Sequence, residues 1–280
     1  MAESFFSRPG IDVFVPSGVP LGEALRGVTH LGVGAHADDL EFMAFPAIAE
    51  CHRGAGRFAG VVVTDGAGSV RLDGTGVEER RNQRRQEQRE AAVIGGYAAV
   101  VQLGLSSAEL KGPFSPLVAG DLAEIFQLAT PRVVYTHNPA DRHDSHVAVS
   151  LAVIRALRAV APGRRPAQVL GCEVWRDLDW LTGPDRVRLD CGPDESLAAA
   201  LNSVFRSQIE GGKRYDLAVL GRRRAHATFD ESHAADAAEM LALAMDLTPL
   251  INNATLPVED YVLAKIDRFR ADVASRLQGA

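Results

Sequence analysis

The chain has 280 residues, 46% of them hydrophobic and 24% charged, with 30 basic against 36 acidic side chains and a net charge of −6. These are ordinary globular values, and a chain this long buries enough surface to fold without disulfides or a structural metal, so a disordered, collagenous or disulfide-scaffold protein is excluded. The acidic balance argues against a general nucleic-acid or anionic-membrane binder.

Short apolar runs alternate with segments of helical period. Residues 28–35 (VTHLGVGA) read as a buried strand, and 39–54 as a helix with Leu40, Met43, Ala47, Ile48 and Cys51 on one face. Residues 58–63 read as a strand closed by Thr64-Asp65-Gly66, and 78–94 as a helix. A strand at 98–103, a helix at 117–129 stopped by Pro131, and a strand at 132–135 follow. A helix at 145–160 and a strand at 169–175 complete the regular part. Beyond Leu178 the pattern loosens; 197–209 and 231–245 read as helices, and 258–277 as a closing amphipathic helix with Val262, Ile266, Phe269 and Val273 on one stripe. The alternation predicts an α/β fold: a Rossmann-like three-layer sandwich with a mostly parallel sheet and a C-terminal α+β elaboration. One domain over 1–280 is expected, its core at about 28–175 and its elaboration at about 176–280.

Cys51, Cys172 and Cys191 are odd in number and form no CxxC, which suits reduced thiols of a cytoplasmic protein. The start, MAESFFSRPG, lacks a basic region followed by an apolar run, and the longest apolar candidate, 91–101, is far short of the ~20 residues a membrane helix needs. No membrane or nucleic-acid partner is expected; a homo-oligomer is left open.

Ligands of such a sheet bind beyond the C-terminal ends of its strands. His36-Ala37-Asp38-Asp39 lies at the end of the first predicted strand, and two adjacent carboxylates there demand a neutralising group. One of them serving only as a helix N-cap is the bland alternative. A second cluster, Asp141-Arg142-His143-Asp144-Ser145-His146, is brought by topology to the same edge. Zinc takes histidine nitrogen and carboxylate oxygen, and catalytic sites use three protein ligands. A His-x-x-Asp pair plus a distant histidine supplies that count and leaves groups over for proton transfer.

At these residues the chain resembles the PIG-L/LmbE family of zinc-dependent N-acetylglucosaminyl deacetylases. The first family motif is matched by Ala35-His36-Ala37-Asp38-Asp39-Leu40-Glu41 and the second by Asp141 to His146, with Thr64-Asp65-Gly66, Arg84-Arg85-Gln86-Glu87 and Ser207-Gln208 as further landmarks. The resemblance implies one Zn²⁺ per chain on His36, Asp39 and His146. It implies Asp38 as general base, His143 as the protonated partner of the oxyanion or leaving group, and Arg84 and Asp65 as substrate contacts. Asp141 and Asp144 are expected to stand behind the ligands. The implied reaction removes acetyl from an N-acetylglucosamine-type amino sugar, a small-molecule substrate. Two departures bear on function. Ala37 replaces the motif proline, and Ser145 replaces the aspartate beside His143, so Asp144 or Asp141 is expected to hold His143 protonated instead.

Gly32-Val33-Gly34-Ala35-His36-Ala37 fits a dinucleotide fingerprint, but Asp38 and Asp39 would then face a pyrophosphate. No G-x-S-x-G supports a serine hydrolase. A non-catalytic sugar-binding module of the same fold stays open. Arg222-Arg223-Arg224 reads as a surface loop before an anion contact, and Trp175 and Trp180 as core before a sugar platform.

Overall fold

A computed structural model describes residues 6, 10–68, 74, 76–112 and 115–279, without the side chains of Ser115 and Pro193. The chain runs β1 (Asp12–Phe14), α1 (Leu21–Leu25), β2 (His30–Gly34), α2 (Asp39–Met43), α3 (Phe45–His52), β3 (Phe58–Thr64), α4 (Val77–Ile94) and β4 (Ala99–Leu105). It continues with α5 (Ser107–Lys111), α6 (Ser115–Ala129), β5 (Val133–His137), α7 (Asp144–Ala159), β6 (Gln168–Cys172) and β7 (Arg186–Asp190). Then come α8 (Glu195–Ser203), α9 (Arg206–Ile209), α10 (Tyr215–Thr228), β8 (Leu241–Asp246), α11 (Thr248–Asn252) and α12 (Val258–Gly279).

The strands form a sheet in the order β1-β4-β3-β2-β5-β6-β8-β7. β4, β3, β2, β5 and β6 are parallel; β1 at one edge and β8 at the other side run against their neighbours, and β7 runs against β8. Full burial on both faces explains the unbroken apolar runs of β2, β3 and β5. Leu31, Val33, Val61 and Val63 pack on one side with Phe126 of α6 and Val153 of α7. Phe58, Val62 and Val100 pack on the other with Leu40 of α2, Ile48 of α3 and Leu201 of α8. This is the expected three-layer sandwich.

From β2 the chain steps outward to β3 and β4, then returns to lay β5 and β6 on the other side of β2. The crevice at the C-terminal ends of β2 and β5 is therefore the topological switch point, the usual ligand site of such sheets. The glycines of the GVG run serve packing there: a Cβ on Gly34 would sit 2.9 Å from the Asp39 Cβ, and one on Gly32 would sit 3.0 Å from Leu40 Cδ2. Close approach of α2 to β2 accounts for them without a dinucleotide.

Several expectations need correction. The helix expected at 39–54 breaks at Ala44, where Pro46 opens α3. The helix expected at 231–245 is absent; Leu241–Asp246 is β8, inserted between β6 and β7. Leu, Ala and Met are good helix formers, and a strand buried on both faces shows no alternation to betray it. α10 occupies a stretch given no element, so Arg222–Arg224 is helical rather than a loop. The closing helix is present, but Ile266, Phe269 and Val273 of its stripe are exposed, not core. Among the described residues no helix is long and apolar enough to cross a membrane.

Candidate metal centre and active site

β2 ends at Gly34 and delivers His36, Asp38 and Asp39 across a tight turn into α2. Asp38 occupies the N-cap position at φ +96° and makes no side-chain cap bond, so the bland capping reading does not describe it. β5 ends on His137, and the following loop and α7 deliver Asp141, His143 and His146.

His36 Nδ1 lies 3.3 Å from Asp39 Oδ2, His146 Nε2 lies 3.5 Å from the same oxygen, and the two imidazole nitrogens are 3.2 Å apart. Ligands at 2.0–2.1 Å around a tetrahedral zinc are separated by about 3.3 Å, so this triangle has the size such an ion requires. Protonation also fits. Asp141 is held below the usual carboxylate range: burial pushes it up, but the His146 hydrogen bond and charge outweigh burial. An ionised Asp141 only accepts, so the 3.1 Å contact makes His146 Nδ1 the donor and leaves its Nε2 lone pair facing Asp39 and His36. Burial, followed by the charge of His137, pushes His146 down to about 4, which keeps that ring neutral. Burial opposes ionisation of Asp39, yet His146 and His137 hold its carboxyl well below the ordinary value.

His137 is a fourth member that motif spacing did not include. It is buried, stacks on His146 at 3.8 Å, and places Nε2 3.2 Å from Asp39 Oδ2 and 2.9 Å from the Ala35 amide. Its position as the last residue of β5, at the binding edge, is the signal that marks it.

Asp38 stands outside the triangle. Burial, then the neighbouring Asp39 charge, raises its pKa well above the ordinary range. The pKa values of the two adjacent carboxyls are thus driven in opposite directions, Asp39 toward the ionised form and Asp38 toward the protonated one. Asp38 Oδ2 accepts a 2.6 Å hydrogen bond from Gln208 Nε2. Gln208 is set there by its neighbour: Ser207 gives Glu87 its amide at 2.8 Å and its hydroxyl at 2.6 Å. The Arg-x-x-Glu and Ser-Gln landmarks, 120 residues apart, are one positioning device. Arg84 lines the cavity near enough to Asp38 for their charges to couple.

Other predicted residues lie differently. Asp65 does not line the cavity; it accepts from Arg81 Nε at 2.7 Å and from the Ala67 amide, and so ties the loop after β3 to α4. Asp144 is 83% exposed and faces Lys111 at 3.9 Å. It opens α7 at the solvent side, so it cannot stand behind His143. Asp141 meets His143 only through the backbone amide, at 3.1 Å. Neither carboxylate bonds the ring: His143 Nδ1 has no hydrogen-bond partner, and burial, then His36, lowers the pKa of the ring against the opposing charges of Asp39 and Asp141. His143 lies edge-on to His36 at 4.9 Å and stacks on His146 at 4.6 Å.

These groups open into a cavity of about 410 Å³ whose aromatic walls are Phe42, Trp175 and Tyr215. Trp175 is half-buried and 5.9 Å from the His143 ring, so it belongs to the site rather than the core, whereas Trp180 packs against the core.

Residues 31–157 match the family model described as PIG-L: GlcNAc-PI de-N-acetylase. That match covers somewhat less than half of the chain and likens this segment to that family. The matched segment runs from the second residue of β2 to the last turn of α7, so it holds both clusters and the switch point but not Gln208 or Trp175. Among solved structures, N,N'-diacetylchitobiose deacetylase from Pyrococcus horikoshii shares 18% identity at a TM-score of 0.60, covering 78% of this chain and 84% of that one. The A40926 pseudoaglycone deacetylase Dbv21 shares 15% at a TM-score of 0.55, covering 78% and 96%. GalB, the 4-carboxy-2-hydroxymuconate hydratase from Pseudomonas putida KT2440, shares 20% at 0.62, covering 78% and 95%. No curated protein matches the chain significantly. The family model's description points to a deacetylase-type function, while the deacetylases and the hydratase among the solved structures share the fold, which by itself does not dictate the reaction.

Proposed function

We propose that the protein is a zinc-dependent hydrolase that removes the acetyl group from an N-acetylglucosamine-type amino sugar. The observation that carries this reading is the triangle of His36, Asp39 and His146 with a separate, Gln208-held carboxyl at Asp38 beside it. His36 Nδ1, Asp39 and His146 Nε2 would hold the ion. When bound, zinc supplies a Lewis acid for the amide oxygen and acidifies water.

The chain's own groups do the rest. Asp38 accepts the proton of the attacking water, and Gln208 and Glu87 fix the direction from which it does so. Its raised pKa brings it closer to neutrality, where a group can both take and return a proton. That proton is returned to the departing nitrogen, so that amide and water become acetate and a free amine. His143, favoured in its neutral form, donates a hydrogen bond to the acyl oxygen as negative charge develops there. Trp175 offers an apolar ring face to the sugar, beside the catalytic cluster.

The test is acetate release from N-acetylated amino sugars by the zinc-loaded protein. Acetate formation that is abolished by chelator and restored by zinc supports the proposal. Failure on every N-acetylated sugar by a protein carrying about one zinc per chain refutes it.

A further inference from the structure

Beyond the metal cluster the cavity continues to a wall made by α10 and β8, lined by Ala218, Val219, Arg222, Arg223 and Ala242. Arg223 is the unusual member. Only 2% of it is exposed, its Nη2 donates to the Glu41 and Phe42 carbonyls at 2.9 Å each, and its guanidinium lies 4.8 Å from the Phe45 ring centre. Nε and Nη1 have no hydrogen-bond partner. The carboxylate of the same wall, Glu173, is already committed to the Leu178 and Leu243 amides and to His226. Arg222, half-buried beside it, gives Nη1 to the Val174 carbonyl at 2.5 Å. Neither arginine has an ion-pair partner among the described residues.

A buried cation with open N–H groups is costly unless something pairs with it. Here it borders the cavity of the candidate active site, among small apolar side chains that strengthen any charge contact. Guanidinium groups suit carboxylate and phosphate oxygens. Arg142 and Lys213, 5.9 and 5.4 Å from the Trp175 ring centre, add positive potential to the cavity in a chain of net charge −6.

We propose that this wall is an acidic-group subsite: the amine-bearing substrate carries a carboxylate or phosphate that docks on Arg223 with Arg222 beside it. This rests on the deacetylase reading for the rest of the substrate. The shared chemistry is the anion, and its two sources are separable by experiment.

Binding to the zinc-loaded full chain is measured by calorimetry, using amines that have no acetyl group to lose: glucosamine, glucosamine 6-phosphate and muramic acid. Inorganic phosphate is the fourth probe. At least one acidic amine binds about tenfold or more tightly than glucosamine, and the preferred one tells phosphate from carboxylate. The advantage drops about tenfold in Arg223→Gln and about threefold in Arg222→Gln, whose half-buried position tolerates change. No advantage in the wild type overturns the subsite, as does an advantage that survives unchanged in a folded Arg223→Gln or, should that variant not fold, in Arg222→Gln. The two readings fail separately. Acetate release without acid preference leaves deacetylation standing and removes the subsite. Inorganic phosphate binding that depends on Arg223, with no acetate from any sugar, does the reverse.

Discussion

Asp38→Asn separates the roles of the paired aspartates. The backbone at this position has φ +96°, a conformation asparagine adopts readily but alanine does not, so Asn tests the carboxyl without a backbone penalty of roughly 1–2 kcal/mol. Its amide oxygen can take over the hydrogen bond from Gln208 Nε2, now 2.6 Å from Oδ2. The sign of the stability change follows from the pKa. Asp38 is held well above its ordinary value by burial and by Asp39, so folding favours its protonated form. The folded state is fully stable below the unfolded pKa and loses stability as pH rises through the raised folded value. Each pKa unit is worth about 1.4 kcal/mol, so at neutral pH the neutral Asn is expected to melt at or above the wild-type temperature. Loss of the base lowers kcat by about 10²–10⁴. Acetate release, elemental analysis and a melting curve are read on one preparation. Activity within tenfold of wild type refutes the base assignment. Loss of zinc along with activity makes Asp38 a ligand, and a clear fall in melting temperature makes its role structural.

Asp39→Asn and His146→Ala each reduce bound zinc from about one per chain to a small fraction, read by elemental analysis; full retention in either removes it from the ligand set. Trp175→Ala raises KM about two- to tenfold with kcat little changed, the scale of one aromatic face; a fall in kcat alone contradicts a platform role. Asp144→Asn leaves kcat/KM within about twofold, since its Lys111 pair is a surface contact; a large drop restores it as a partner of His143. Burial lowers the His226 pKa, but Glu173, 3.0 Å away, and Asp177 raise it above 6.5 overall. The stability that this pair adds is complete below pH 6.5 and is lost as pH rises through the raised value. His226→Gln therefore flattens the denaturation midpoint between neutral and alkaline pH, and parallel curves for the two proteins refute the coupling.

The parts of this protein that could be read from its sequence are those in which local pattern and tertiary role coincide. The five parallel strands are short apolar runs closed by polar residues. Both site clusters sit where such runs end, so topology alone brings His36, Asp39 and His146 to one edge. What could not be read depends on distant partners. Nothing in the run LALAMD distinguishes a two-sided buried strand from a helix, because the decision lies with β6 and β7 on either side of β8. Arg222, Arg223 and Arg224 are identical in type yet meet a half-buried cavity wall, a fully buried seat and a solvent pair with Glu195, a division set by the helical period of α10.

The same holds for the two aspartates expected to replace the one missing at Ser145. Both are near His143 in sequence, but the first turn of α7 directs Asp144 outward, while Asp141 is consumed by the His146 ring and by the amides of His143, Trp175 and Arg176. Proximity along the chain said that a carboxylate was available. The hydrogen-bond account says that none is left over for the ring, and burial with His36 then outweighs the Asp141 charge that still reaches it.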